Sequence, residues 1–310
     1  MMRIVIIGAG AMGSLFGAML SPVSEVYLID PYKDHVNQIL REGLRIDRKE
    51  KTFTTRVCAA CDAPEAAAQA DLAIIFTKSG GTARAAHMAK NLLKKEGLVL
   101  TLQNGIGNAE IIAGIVGEKR ALAGVTSHGG TLIGPGHVRH AGEGPTFISP
   151  FSPLSLSPEP VLQVFQQAGI EVHLSDSLDS LIWGKLIINV GINALAAILR
   201  VPNGALARCP ECEEIMKEAV REALGVCRAL HIFLPYDNPL EQVRSVCGKT
   251  AENRASMLQD ILRGAETEIS VINGAIVEKG EELGISTPVN RFLTRMVQAL
   301  EATAEERIMA

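Results

Sequence analysis

The segment Arg3-Ile4-Val5-Ile6-Ile7-Gly8-Ala9-Gly10-Ala11-Met12-Gly13 constrains this chain more than any other. An apolar run of strand length enters a G-x-G-x-x-G turn and leaves into a helix-forming stretch, Ala11 to Leu20. That order of elements lays a pyrophosphate against a helix N-terminus, where backbone N–H groups and the helix dipole favour an anion. Gly8 permits the tight turn, Gly10 lets the backbone approach the phosphates, and Gly13 lets helix and strand pack closely. A second apolar run, Val26 to Ile29, ends in Asp30, about 20 residues on, where the fingerprint expects a carboxylate for a ribose hydroxyl. A glycine-rich turn with no ligand is the alternative; strand, helix and Asp30 together favour a dinucleotide site formed by residues 8–13 and Asp30.

A chain of 310 residues, 47% hydrophobic, can bury two moderate cores. Lysine and arginine total 30 against 34 acids, and no basic cluster is interleaved with aromatics, so a nucleic-acid partner is not expected. Glycines and Asp30 interrupt the apolar N-terminus, which excludes a long hydrophobic span; the chain is expected to begin at Met1, in the cytoplasm, without a membrane partner. Six cysteines then read as reduced thiols. The pairs Cys58/Cys61 and Cys209/Cys212 lie too far apart for a four-thiolate zinc site, and His128, His137 and His140 match no zinc spacing, so no metal is expected.

Through the first half, strand and helix signals alternate, as in a parallel sheet with helices on both faces. Leu72–Phe76 and Leu98–Leu102 are short apolar runs followed by Thr77-Lys78-Ser79-Gly80-Gly81 and Gln103-Asn104-Gly105. Ligands of such sheets bind beyond the carboxyl ends of the strands, which directs Lys78 and Asn104 to the ligand; a solvated turn lysine and an Asn-Gly turn are the bland readings. Ala121 to Ser149 reads as antiparallel strands finishing this domain, and a helix over 161–168 with a strand over 171–174 completes the sheet. From Ser175 the strand signals stop. Helices are predicted over 178–199, 211–230, 238–246, 256–283 with a weak point at Gly264 or Gly274, and 290–306, punctuated by Pro202, Pro210, Pro235 and Pro288. The expected architecture is therefore α/β: a Rossmann-type doubly wound sheet over 1–174, then an all-helical substrate and catalytic domain over 175–310.

The first predicted helix carries Trp183-Gly184-Lys185-Leu186-Ile187-Ile188-Asn189-Val190-Gly191-Ile192-Asn193. Lys185, Asn189 and Asn193, spaced i, i+4, i+8, form one polar stripe on an otherwise apolar helix. A buried lysine on such a stripe has its pKa lowered by desolvation and serves as a proton donor near neutral pH. A lysine that snorkels to solvent, with the asparagines satisfying backbone groups, fits the same periodicity.

These motifs, with Pro202-Asn203-Gly204, the run Ala251 to Asp260 and Thr267-Glu268, make the chain similar to ketopantoate reductases (2-dehydropantoate 2-reductases) over nearly its whole length. The resemblance implies hydride transfer from NAD(P)H to the 2-oxo group of ketopantoate, giving pantoate for pantothenate and coenzyme A synthesis. It implies Lys185 as general acid, with Asn104 and Glu268 beside it and the cofactor. Lys78 and Gly130 would flank the cofactor, and Asn189, Asn193, Asn203, Asn253 and Ser256 would bind substrate.

One departure bears on the cofactor. Familiar members of the family carry an arginine just after the second strand for the 2′-phosphate of NADPH, whereas this chain has Asp30-Pro31-Tyr32-Lys33. Likeness implies NADPH; Asp30 would accept from the ribose hydroxyls of NADH and repel a phosphate, with Lys33 the only nearby cation to rescue it. Reduction of another branched or aromatic 2-oxo acid is one alternative, and a non-catalytic NAD(H) sensor another, although a sensor needs only the first domain. The late helices make a homodimer an expectation.

Overall fold

The structure, a computed structural model, describes residues 1–49 and 51–306, so the last four residues of the expected helical domain lie outside it. The chain divides into two compact units: residues 1–103 with 107–178, and residues 104–106 with 179 onward.

The first unit runs β1 (Met2–Ile7), α1 (Ala11–Leu20), β2 (Ser24–Ile29), α2 (Lys33–Glu42), β3 (Leu44–Arg48), β4 (Lys51–Thr55), β5 (Cys58–Ala60), β6 (Ala70–Ile75), α3 (Thr82–Leu92), β7 (Leu93–Thr101), α4 (Asn108–Val116), β8 (Ala121–Thr126), β9 (Gly129–Gly134), β10 (His137–Gly142), β11 (Thr146–Pro150), α5 (Glu159–Gln167) and β12 (Val172–Leu174). Eight strands form one sheet in the order β12-β11-β8-β7-β6-β1-β2-β5. All its neighbours are parallel except β8 and β11. Strands of a doubly wound sheet are covered on both faces and so read as continuous apolar runs. Here Ile4 and Ile6 of β1 join Leu72 and Ile74 of β6 in one core, while Val5 and Ile7 join Ala73 and Ile75 in the other.

The strand order reverses at β1, which lies between β6 and β2, and the G-x-G-x-x-G turn leaves its carboxyl end at that switch point. Gly8 adopts φ +93°, and a Cβ there would lie 2.6 Å from the Thr77 backbone nitrogen. A Cβ on Gly13 would fall 1.9 Å from the Gly8 carbonyl oxygen, so helix and turn approach too closely for any side chain.

Two details differ from the sequence reading. Only β8 and β11 of the 121–149 region join the main sheet as an antiparallel pair; β9 and β10 leave it for a second sheet, β4-β3-β10-β9, whose β3–β4 ribbon was not expected. The partner that decides β10's placement lies about 90 residues earlier: it pairs in parallel with β3, Val138 opposite Ile46. Local periodicity carries no trace of such a partner.

The second unit is helical: α6 (Leu178–Leu199), α7 (Asn203–Arg208), α8 (Pro210–Ala229), α9 (Pro239–Lys249), α10 (Ser256–Arg263), α11 (Asn273–Leu283) and α12 (Pro288–Ala302). By length and composition α6 alone among the described helices could cross a membrane, but most of it is the buried axis of this unit's core. Pro210, Pro239 and Pro288 occupy the first helical turn of α8, α9 and α12, where a missing N–H costs nothing. The helical stretch expected over 256–283 breaks at the first of its two expected weak points: Gly264 ends α10 in the left-handed conformation, and α11 starts only at Asn273 after a 3₁₀ turn over 269–271.

Gly13→Ala should therefore destabilise the first unit by about 1–3 kcal/mol, the usual cost of overpacking. Differential scanning calorimetry should show its melting transition lowered by several degrees, roughly 2–4 °C per kcal/mol at this size.

Candidate functional site

In the first unit the expected dinucleotide residues gather around the α1 N-terminus. Gly10 caps α1 without a side-chain hydrogen bond, and the space beside its Cα is open. A phosphate fits such a cradle, since the first-turn N–H groups point into it. Asp30 braces the turn: its Oδ2 accepts the Ala9 N–H at 2.8 Å and its Oδ1 the Tyr32 N–H at 2.9 Å. Each oxygen keeps a second lone pair for an outside donor such as a ribose hydroxyl. On the far side of the turn, buried His35 accepts the Gly136 N–H on Nδ1 (3.0 Å), and its Nε2 meets Ser14 Oγ (3.0 Å), which donates to the Ala9 carbonyl at 2.6 Å. This chain requires the neutral imidazole with its proton on Nε2, and burial pushes the His35 pKa down, in keeping with that form.

Gly130 packs against α1 where the turn enters it: a Cβ there would lie 3.0 Å from the Ala11 carbonyl oxygen and 3.3 Å from Met12 Sδ. Lys78 is exposed and begins a short 3₁₀ turn after β6. Lys33, the cation nearest Asp30 in sequence, is exposed at the start of α2. Among the described residues no group of three or more His, Cys, Asp or Glu side chains is placed to hold a metal ion; His128 and His140 pair through Nδ1 and Nε2 at 3.0 Å, and His137 meets Asp47 at 2.8 Å.

The second unit builds a polar cluster on an apolar helix. Lys185, Asn189 and Asn193 occupy successive turns of α6, whose other positions are largely core. Gly184 lets Pro235 approach, since a Cβ would meet the proline ring at 2.7 Å, and the Tyr236 hydroxyl donates to the Gly184 carbonyl at 2.7 Å. These contacts anchor the backbone next to Lys185, and no local signal marks Tyr236 for that task. Desolvation is the larger influence on Lys185 and brings its pKa down to about 8, against an opposing pull from the Glu268 carboxylate. The snorkelling alternative would leave the ammonium solvated and its pKa near the ordinary value.

Glu268 is 8% exposed. It lies in the gap between α10 and α11, so the break that begins at Gly264 is what delivers this carboxylate. Its Oε2 accepts from Asn104 Nδ2 at 3.1 Å. Asn104 follows β7 in sequence yet belongs with the helical unit, because residues 104–106 dock on the segment just past Glu268. The Ile106 N–H donates to the Val271 carbonyl at 3.3 Å, and Gly105 (φ +83°) would put a Cβ 2.5 Å from that oxygen.

Two further pairs complete the expected residues. Asn193 Nδ2 reaches Ser256 Oγ, at the start of α10, across 3.5 Å. Asn203 Nδ2 donates to Thr250 Oγ1 at 2.9 Å, and its backbone N–H to the Asn253 carbonyl at 3.0 Å, which brings Asn253 beside it. The Asn203 Oδ1 is buried with no hydrogen-bond partner, an acceptor that a bound donor would satisfy.

A doubly wound fold of the dinucleotide-binding kind in a chain with a second, helical unit defines a class, the two-domain nicotinamide-dependent oxidoreductases. Comparison with known proteins narrows it. The family model for ketopantoate reductase PanE/ApbA matches residues 4–153, and that for the C-terminal domain of ketopantoate reductase PanE/ApbA matches 177–301, so the chain belongs to the ketopantoate reductase family. A 2-dehydropantoate 2-reductase from Halobacterium salinarum is 37% identical over 300 residues, covering 96% of this chain and 98% of the relative. A crystal structure of a PanE/ApbA family ketopantoate reductase from Ralstonia eutropha JMP134 superposes with a TM-score of 0.90 at 36% identity, covering 98% of this chain and all of the other. The ternary structure of D-mandelate dehydrogenase with NADH and anilino(oxo)acetate gives 0.91 at 32% identity, over 98% and 99%.

The Lys185 ammonium should titrate near pH 8, observable by NMR of isotopically labelled lysines as a signal that is absent in Lys185→Ala. Because Glu268 holds the pKa up, Glu268→Gln should move that midpoint to lower pH.

Proposed function

We propose that this chain is an NAD(P)H-dependent 2-dehydropantoate 2-reductase with Lys185 as general acid. The observation that carries the reading is the half-buried, desolvated Lys185 beside the buried Glu268 that Asn104 holds, in a chain similar over nearly its whole length to named 2-dehydropantoate 2-reductases. The nicotinamide supplies the hydride that reduces the 2-oxo carbon. The chain's own residues handle the charge that follows: as the carbonyl oxygen becomes an alkoxide, the Lys185 ammonium donates its proton to it and ends as a neutral amine. Desolvation makes the ammonium acidic enough to give up that proton, and Glu268 favours its charged form. Asn104 orients the Glu268 carboxylate. Asn189, Asn193, Asn203, Asn253 and Ser256 bind the polar groups of the substrate, neutral donors being suited to an anionic ligand. Residues 8–13, Asp30, Lys78 and Gly130 hold the dinucleotide.

The donor form of Lys185 predominates below about pH 8, so reduction should fall as pH rises through that value. Lys185→Ala should lower kcat by about 10²–10⁴-fold, the usual worth of a general acid, while the dissociation constant of the reduced dinucleotide stays unchanged. Turnover that survives the substitution would remove Lys185 from this role; undetectable turnover in the parent with any 2-oxo acid would favour the sensor reading.

Asp30 supports NADH as a cofactor at least as good as NADPH, because its carboxylate would repel a 2′-phosphate and only exposed Lys33 is close in sequence to offset it. The ratio of kcat/KM for NADH to that for NADPH should be at least unity, and Asp30→Ala should lower it. A second substrate reading, an aromatic 2-oxo acid, is supported by the likeness to D-mandelate dehydrogenase; the kcat/KM ratio of ketopantoate to benzoylformate decides between them. A cytoplasmic homodimer fits a biosynthetic enzyme of this family.

A further inference from the structure

Behind the Lys185–Glu268 pair lies a line of buried polar side chains that the reaction itself does not use. Asn273, the first residue of α11, is fully buried, and its Nδ2 donates to the Val190 carbonyl of α6 at 3.2 Å and to Asn290 Oδ1 at 2.9 Å. Asn290, fully buried on α12, gives its own Nδ2 protons to the Ala219 carbonyl at 2.9 Å and to Glu222 Oε2 at 2.7 Å. Glu222 also accepts the backbone N–H groups of Val289 and Asn290 at 2.8 and 2.9 Å.

The polarity of this line runs one way. A carboxylate only accepts, so Glu222 draws both Asn290 amide protons toward itself and the Ala219 carbonyl. The Asn290 oxygen is left facing Asn273, which must answer with its NH₂ group, and that group thereby also meets Val190. The Val190 carbonyl lies in mid-helix five residues past Lys185, and its second lone pair takes the extra bond.

Asn273 also follows Glu268 by only five residues, through a 3₁₀ turn closed by Val271 N–H to the Glu268 carbonyl (3.2 Å) and Ile272 N–H to the Ile269 carbonyl (3.3 Å). The bond to Val190 thus fastens the carboxylate's segment to the lysine's helix. It has a cost: Asn273 Oδ1 is buried without a partner, which an apolar residue of similar size would avoid. The amide is explained by what its NH₂ group holds.

We propose that Asn273 is a positioning residue, held by Asn290 and Glu222, that sets the separation of Glu268 from Lys185 by pinning the 268–273 segment to α6. Its consequence for turnover rests on the reading of Lys185 as general acid; its geometric content does not.

The experiment records the Lys185 NMR titration and the pH profile of kcat for Asn273→Ala, Glu222→Gln and Val297→Ala. Asn273→Ala removes both bonds to Val190 and Asn290. Glu222→Gln acts at the far end: it leaves one acceptor oxygen in place of two, so its NH₂ group opposes either the Val289 N–H or the Asn290 donors, and the loss of the negative charge weakens the hold on Asn290. Val297, buried on α12 among apolar side chains, is the stability control. Both network variants should lower the Lys185 midpoint by about half a pH unit, as expected when a carboxylate recedes from an ammonium. They should lower kcat by about tenfold, with KM for the dinucleotide within twofold of the parent. Val297→Ala should lower the melting temperature and move neither midpoint nor kcat.

An unmoved Lys185 midpoint in the network variants would overturn the proposal, as would an equal shift in Val297→Ala. Should Asn273→Ala fail to fold, Glu222→Gln alone decides by the same criterion. A shifted midpoint without any loss of kcat would uphold the positioning and count against the general-acid reading, as would parent-like turnover by Lys185→Ala.

Discussion

Taking one ammonium group out of water is the constraint around which the helical unit is organised. Lys185 sits on a long, largely buried apolar helix, and an isolated charge there would shed its proton below the ordinary lysine range. Glu268 restores part of what desolvation removes, and the balance leaves the group titrating near neutrality rather than locked in either form. Without the carboxylate the midpoint would lie lower still. The useful range is narrow, so the elements carrying the two groups must be held in fixed register.

That requirement accounts for features of the second unit that packing alone does not. The chain gives up regular α-helix between Gly264 and Asn273, leaving a gap that contains a 3₁₀ turn and is wider than the single weak point expected there, and the gap is where Glu268 emerges. Residues 104–106 dock on the same gap with two backbone-scale contacts, Ile106 N–H on the Val271 carbonyl and Gly105 against its oxygen. Tyr236 and Pro235 anchor Gly184, immediately before the lysine. The first unit solves a parallel problem with different means: the glycine turn is braced from one side by Asp30 and from the other by the His35–Ser14 relay, so the backbone that would face phosphate is pre-set.

Much of this was legible in the residues. The strand-turn-helix of residues 3–20 depends on local sterics, and so does the polar stripe of α6, whose bounds at 178 and 199 coincide with the periodicity. Burial on both sheet faces follows from the unbroken apolar character of β1 and β6. The departures share one cause. β10 owes its place to β3, the segment between α10 and α11 receives the distant residues 104–106, and Asn104 joins the helical unit through the contact of Ile106 with Val271. Each is decided by a residue tens to well over a hundred positions away, to which a local window is blind.

Sequence by itself determined the two architectures, the glycine turn with its carboxylate, and the lysine placed at helical spacing from two asparagines, because those properties follow from backbone sterics and the period of apolar residues. Only the tertiary structure decided that the lysine is desolvated rather than snorkelling, that a non-helical gap brings Glu268 to it, and that Asn273 bonds to its helix. Solvation and charge proximity are properties of what surrounds a side chain in space, and a linear pattern records only what surrounds it along the chain.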